Sequence, residues 1–201
     1  STGFDSILAF DLSAQAFSWG LHVAKIDGNW EAHRFDPKST AGPPARNQLH
    51  INYVDCSARG LSFAGLRTRG IISLAPSSSL KSQVELPEGV HNACLTNDGV
   101  VFNDTAANFL RYVKRDGAEL RFAYPTYDEA DLEFAGIDDS KIARQGFGRG
   151  LCLIGERYVA AGSSPSTVTV FDLAGGQTVF SVNFSMDVRN AIHGLEVWPY
   201  A

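Results

Sequence analysis

The chain has 201 residues, a formal net charge of -5, 44% hydrophobic and 19% charged residues. That length and composition suit one globular domain, residues 1–201, which buries about 70% of its unfolded surface without needing a metal or a disulfide. The acidic balance and the lack of a lysine and arginine cluster exclude nucleic acid as a partner, and no apolar stretch reaches the roughly 20 residues of a membrane-spanning helix.

Cys56, Cys94 and Cys152 are an odd number at wide spacing, with neither the paired pattern of a zinc site nor the density of a stapled secreted domain. This usage points to a reducing, cytoplasmic compartment. The chain opens on Ser1 rather than Met, so secretion after processing stays open beside it, as does the oligomeric state.

In chain order, Ile7 to Leu12, Trp19 to Ile26 and Trp30 to Phe35 are short runs rich in β-branched and aromatic residues, which predict strands. Asp36 to Asn47 is rich in Pro, Ser and Gly and reads as a surface connection. Further strands are predicted at Val100 to Asn103, Leu110 to Val113, Tyr158 to Ala161, Thr167 to Leu173 and Thr178 to Phe184. Asp27-Gly28, Asn97-Asp98-Gly99, Asp116-Gly117 and Gly175-Gly176 supply the positive φ angles of tight hairpins, so the whole reads as an antiparallel meander. Thr126 to Asp139 carries six carboxylates, Asp138 and Asp139 among them; it lacks the order of a calcium loop and reads as a solvated loop. Two sequons, at Asn103 and Asn183, fall in or beside predicted strands rather than on loop tips.

A repeat emerges when segments are aligned on His50, His91, Arg149 and His193, each opening a strand that is followed, in the first three copies, by a turn and further strands. Four strands in succession are the anatomy of a propeller blade, and each interval fits one blade of roughly 40–50 residues. The expected fold is therefore an all-β, four-bladed propeller. Its last unit has one strand and its N-terminus has three, so the C-terminal strand is expected to pair with the N-terminal three and close the ring.

In such a ring the opening residues face one axis. His50, His91 and His193 there have the composition of a divalent metal site, with Asn52, Asn92 and Glu196 as supporting or oxygen donors. Arg149 suits a carboxylate or phosphate of a bound molecule, and Asp104, in Asn103-Asp104-Thr105, could serve as a base. The same residues could instead fasten the ring by bonding to backbone carbonyls, and Asn-Asp-Thr is ordinary turn chemistry. Cys94 and Cys152 occupy equivalent places and read as small packing residues. Gly146-Phe147-Gly148-Arg149-Gly150 precedes a strand rather than a helix and so is no dinucleotide fingerprint.

His50-Ile51-Asn52, Pro87 to Cys94, Gly148-Arg149-Gly150-Leu151, Ala161 to Ser164 and Thr167 to Leu173 resemble a bacterial family of uncharacterised conserved hypothetical propeller-like proteins. The resemblance implies the propeller and no activity. Phe102-Asn103-Asp104-Thr105 and His193-Gly194-Leu195 are more faintly similar to gluconolactonase and strictosidine-synthase-like propellers, which hold a central calcium through Asn, Asp and Glu. Histidines stand here where those enzymes favour oxygen ligands.

Two functions are expected from these residues. The first is a small-molecule site for a polar anionic or sugar-like ligand at His50, His91, Arg149 and His193, with metal-assisted hydrolysis or elimination in which His193 or Asp104 moves the proton. The second is a non-catalytic propeller that docks a protein or glycan while its axial residues only hold the ring.

Overall fold

The computed structural model describes residues 1–75, 77, 79–136 and 144–198. The chain forms two compact units, Ser1–Glu88 and Gly89–Ala201. All of its sheets are antiparallel meanders.

In the N-terminal unit, β1 (Ser6–Asp11), β2 (Ala16–Ile26) and β3 (Asn29–Phe35) form a three-stranded sheet. β4 (Ile51–Ser57), β5 (Gly60–Gly65), β6 (Gly70–Leu74) and β7 (Leu80–Glu85) form a four-stranded one. The β2–β3 hairpin turns at Asp27 and Gly28, both at positive φ (49° and 84°), as the Asp-Gly pair predicts. Ile7, Leu21 and Val23 of the first sheet share one core with Leu49, Ile51, Phe63 and Ile72, and Trp19 and Trp30 pack against it. Each fully buried side chain of this kind stabilises by about 1.5–3 kcal/mol.

A buried carboxylate fixes the start of β4. Asp5, 2% exposed, accepts the backbone N–H of Gln48 (2.5 Å), Leu49 (3.0 Å) and His50 (2.9 Å). Three donors that precede the β4–β5 ladder are thereby satisfied by one side chain from the strand-free residues before β1.

The C-terminal unit holds two four-stranded sheets. The first comprises β8 (Val90–Leu95), β9 (Gly99–Asp104), β10 (Phe109–Lys114) and β11 (Glu119–Ala123). The second comprises β12 (Gly148–Ile154), β13 (Tyr158–Ser163), β14 (Thr167–Asp172) and β15 (Gln177–Asn183). Phe171 joins their cores: its ring lies 5.0 Å from that of Phe122 and meets Tyr124 edge-on at 6.2 Å.

Among the described residues, the closing strand expected from His193 onward is not formed. Residues 191–198 carry no strand, and the first sheet stays three-stranded. Leu195 and Val197 alternate as a strand would, but the segment runs beside β12 instead. Ile192 O and Gly194 N come within 3.0 and 3.3 Å of where a Cβ would sit on Gly150, and Glu196 Oε1 is 3.9 Å from Cys152 Sγ. Close approach at a glycine replaces the ladder that was to close the ring.

Residues 126–136 of the acidic loop are among those described. Asp128 caps a 3₁₀ turn over Glu129–Asp131 by accepting the Ala130 N–H, and Glu133 forms a parallel bridge with Asp187. Asp138 and Asp139 lie outside the described residues. Both sequon asparagines are held inside the fold: Asn103 is fully buried, and the Asn183 amide donates to Pro165 O, Thr167 Oγ1 and Ser185 O.

Candidate functional site

The first strands of the three four-stranded sheets, β4, β8 and β12, share one device. In each, a single residue is skipped in the pairing with the next strand: Asn52, Asn92 and Gly150. Asn92 and Gly150 sit at positive φ (61° and 70°), which Asn tolerates and Gly adopts freely. A bulge of this kind re-aims the side chain before it. That residue is His91 in β8 and Arg149 in β12, but Ile51 in β4.

The sequence repeat was therefore one residue out in its first copy. His50 precedes the equivalent position. It belongs to the N-terminal unit, where its Nδ1 lies 3.0 Å from Asn47 Oδ1 and its N–H is held by Asp5.

The C-terminal unit builds a cluster around Phe147. The Arg149 guanidinium lies 4.4 Å from the Phe147 ring centroid and that of Arg144 5.0 Å from it. The His91 ring is tilted against the same ring at 5.7 Å. Arg149 Nη1 is 3.2 Å from His193 Nε2 and 3.4 Å from Nδ1. Arg144 is fixed from its far side by donating to Thr105 O at 2.8 Å. Arg149 and His193 are thus brought together, and His91 packs on the same Phe147 ring.

A network of buried amides positions β12 under this cluster. Asn92 Oδ1 accepts the Gly150 N–H (3.1 Å), while Asn103 Nδ2 donates to Gly150 O (3.0 Å). Thr105 donates to Gly148 O at 2.7 Å, and the Tyr124 hydroxyl donates to Asn103 Oδ1. Burial pushes the Tyr124 phenol well above its ordinary pKa, so that hydroxyl remains a donor at any physiological pH. Asn92 through Oδ1 and Asn103 through Nδ2 therefore hold the backbone next to Arg149.

Burial, and then the nearby Arg149 charge, hold the His193 imidazole below its usual pKa. It is neutral at pH 7, and a neutral ring nitrogen can accept from the guanidinium. A guanidinium 3.2 Å away is also electrostatically opposed to a divalent cation on the same ring. Among the described residues, no three His, Cys, Asp or Glu side chains gather into a group that could hold a metal.

Glu196 turns back on itself, its Oε1 accepting the Val197 N–H at 3.1 Å beside the Cys152 thiol. Burial and that carboxylate push the thiol pKa up, which suits packing rather than nucleophilic attack.

Asp104 is engaged in an ion-pair network. Its carboxylate takes Arg111 Nη1 at 2.8 Å, and Arg111 grips Glu119 through Nε (2.8 Å) and Nη2 (3.1 Å). Hydrogen bonds from Arg111 and then Arg121 hold the Glu119 carboxyl down at about 2. A depressed carboxyl stabilises the fold fully above its unfolded pKa near 4.5, and that contribution is lost as pH falls towards 2. Glu119→Gln should cost about 1–3 kcal/mol at pH 7 and flatten the acid limb of stability between pH 4.5 and 2. Urea midpoints measured across that range for both proteins check this.

Sequence reasoning missed Phe147 and Arg144. Phe147 lay within the glycine run set aside as no dinucleotide site, and its flanking Arg144 and Arg149 were the available signal.

No family model matches the chain, and no curated protein matches it. Similar solved structures include virginiamycin B lyase from Staphylococcus aureus, at 11% identity and a TM-score of 0.46, over 89% of this chain and 54% of that one. A catalytically inactive variant of that lyase, crystallised with quinupristin, gives 10% and 0.45 over 92% and 57%. A protein assigned as a 6-phosphogluconolactonase from Bacteroides uniformis gives 14% and 0.46 over 92% and 66%. The chain spans between about half and two thirds of the length of these proteins.

Proposed function

We propose that this chain is a small-molecule-binding propeller, its four meander sheets serving as blades, which takes a polar anion against Arg149 and His193. A carboxylate or phosphate on a sugar-like molecule is the ligand class that fits. The observation carrying this reading is the convergence of Arg144 and Arg149 on one phenylalanine ring in a chain whose net charge is -5. Two guanidiniums and a neutral imidazole around one ring make a local positive field, and Arg recognises carboxylate or phosphate bidentately. His193, being neutral, is the group able to accept a proton if the bound molecule is turned over by elimination or hydrolysis.

Calorimetric titration with inorganic phosphate, gluconate and a sugar phosphate tests the reading. Arg149→Gln should weaken binding at least tenfold, about 1.4 kcal/mol. An anion beside Arg149 also offsets the charge that depresses His193, so His193 takes up a proton on binding. Affinity for gluconate, whose own charge is constant over the range, should therefore rise as pH falls from 8 to 5.5. Binding that ignores both Arg149→Gln and pH, or no binding of any of these anions at millimolar concentration, removes the proposal.

A further inference from the structure

Three arginines of the C-terminal unit are neutralised where they stand. Arg111 holds Asp104 at 2.8 Å, Arg157 holds Asp172 at 2.6 Å and Arg189 holds Asp187 at 2.7 Å. Arg144 departs from this pattern. Among the described residues it meets no carboxylate, and its Nη2 donates instead to two backbone carbonyls, Thr105 O at 2.8 Å and Ala106 O at 3.4 Å. A carbonyl satisfies a donor and leaves the net charge in place.

That charge falls beside the anion site. The guanidiniums of Arg144 and Arg149 lie 5.0 and 4.4 Å from one Phe147 centroid. The two are therefore less than about 10 Å apart, close to the Debye length of about 8 Å at physiological ionic strength. Contact with an aromatic ring in place of water also lowers the screening around each of them. The His193 imidazole, 3.2 Å from Arg149, is neutral at pH 7 and cancels neither charge.

We propose that Arg144 makes this site selective for a dianion, so that its ligand class is a phosphomonoester rather than a carboxylate or a sulfate monoester. This selectivity rests on the anion reading above and narrows it. Arg149 receives the anion, and Arg144 adds a second positive charge that a monoanion leaves unbalanced. A phosphomonoester carries close to two negative charges above its second pKa of about 6, whereas a carboxylate or a sulfate monoester carries one. Each added unit of charge within about 6–10 Å of a fixed guanidinium changes affinity roughly two- to tenfold in a partly hydrated site. Shape does not make the same distinction, because phosphate and sulfate esters are both tetrahedral.

Calorimetry of the full chain with glucose 6-phosphate, glucose 6-sulfate and gluconate tests the selectivity. At pH 7.5 the phosphate should bind about tenfold tighter than the sulfate. The ratio should shrink towards one as pH falls to 5, where the phosphate loses its second charge and the sulfate keeps its own. Proton uptake by His193 strengthens both esters and so does not shrink the ratio. Arg144→Gln should cut the ratio about threefold, while Arg144→Lys, which keeps the charge, should hold it near the wild-type value. The pH series on the unaltered chain stands even if Arg144→Gln lowers the thermal midpoint. Equal affinity for the two esters at pH 7.5, a ratio indifferent to pH, or a ratio unchanged in a folded Arg144→Gln would each overturn Arg144 as the selector and leave the anion site in place. Failure of all three ligands to bind at millimolar concentration removes the anion site itself, and the selectivity with it.

Discussion

Asp5→Ala should destabilise the N-terminal unit by about 2–4 kcal/mol, since an unsatisfied buried donor costs about 1–3 kcal/mol and this carboxylate serves three. The Leu49 N–H is the most costly to abandon, because Leu49 lies in the core and water cannot replace the lost acceptor. Asp5→Asn should cost less. It keeps one oxygen for Leu49 and His50, which share Oδ1, but turns an amide N–H₂ against the Gln48 donor. Asn also tolerates the left-handed backbone at this position, where φ is 46°. Urea unfolding followed by Trp19 and Trp30 fluorescence reports this unit, since both indoles pack on its core. A loss below about 1 kcal/mol for Asp5→Ala would show that the β4 start holds without its cradle.

The strands were legible because their signals are local. Ile7, Leu21, Val159 and Phe171 lie in the core where period-two alternation places them, and the Asp27-Gly28 turn needed only two residues to be recognised. The register of β4 against β8 and β12 was not legible from the opening residues, because His50 resembles His91 in type while the bulge puts Ile51 at the equivalent place. Asn52, Asn92 and Gly150, all compatible with irregular backbone, carried the correct alignment. Cys94 and Cys152, two residues past their bulges, were placed correctly for that reason, and both are buried.

What the sequence could not show depends on partners distant along the chain. Asp104 reads in isolation as a turn residue or a base, and only Arg111 across the β9–β10 pair makes it one end of an ion network. Tyr124 is far in sequence from the Gly150 carbonyl that it stabilises through Asn103. The segment after His193 has strand-like alternation, but a strand also needs an edge in register, and β12 offers close contact at Gly150 rather than a ladder.

That close contact leads to the site itself. Gly162 pairs with Arg149, and a Cβ on it would lie 2.4 Å from Ile192 Cβ and 2.6 Å from Arg149 O. Neither atom is the free end of a flexible side chain, so Gly162→Ala must push the segment carrying His193 off β12. Overpacking of this kind costs about 1–3 kcal/mol and occasionally more. The functional consequence should exceed the loss of stability. Separating His193 from Arg149 removes both the burial and the charge that depress the imidazole, so its pKa should rise towards the ordinary histidine value, and anion binding should fall about as far as with Arg149→Gln. NMR titration of the His193 ring in Gly162→Ala measures the first effect and calorimetry the second. Gly194→Ala is the control: it adjoins His193, yet a Cβ there meets nothing within 4 Å, so binding and the imidazole pKa should both stay at their wild-type values. If Gly162→Ala leaves the His193 titration where Gly194→Ala does, the glycine does not set the Arg149–His193 pair, and the amide network through Asn92 and Asn103 must do so alone.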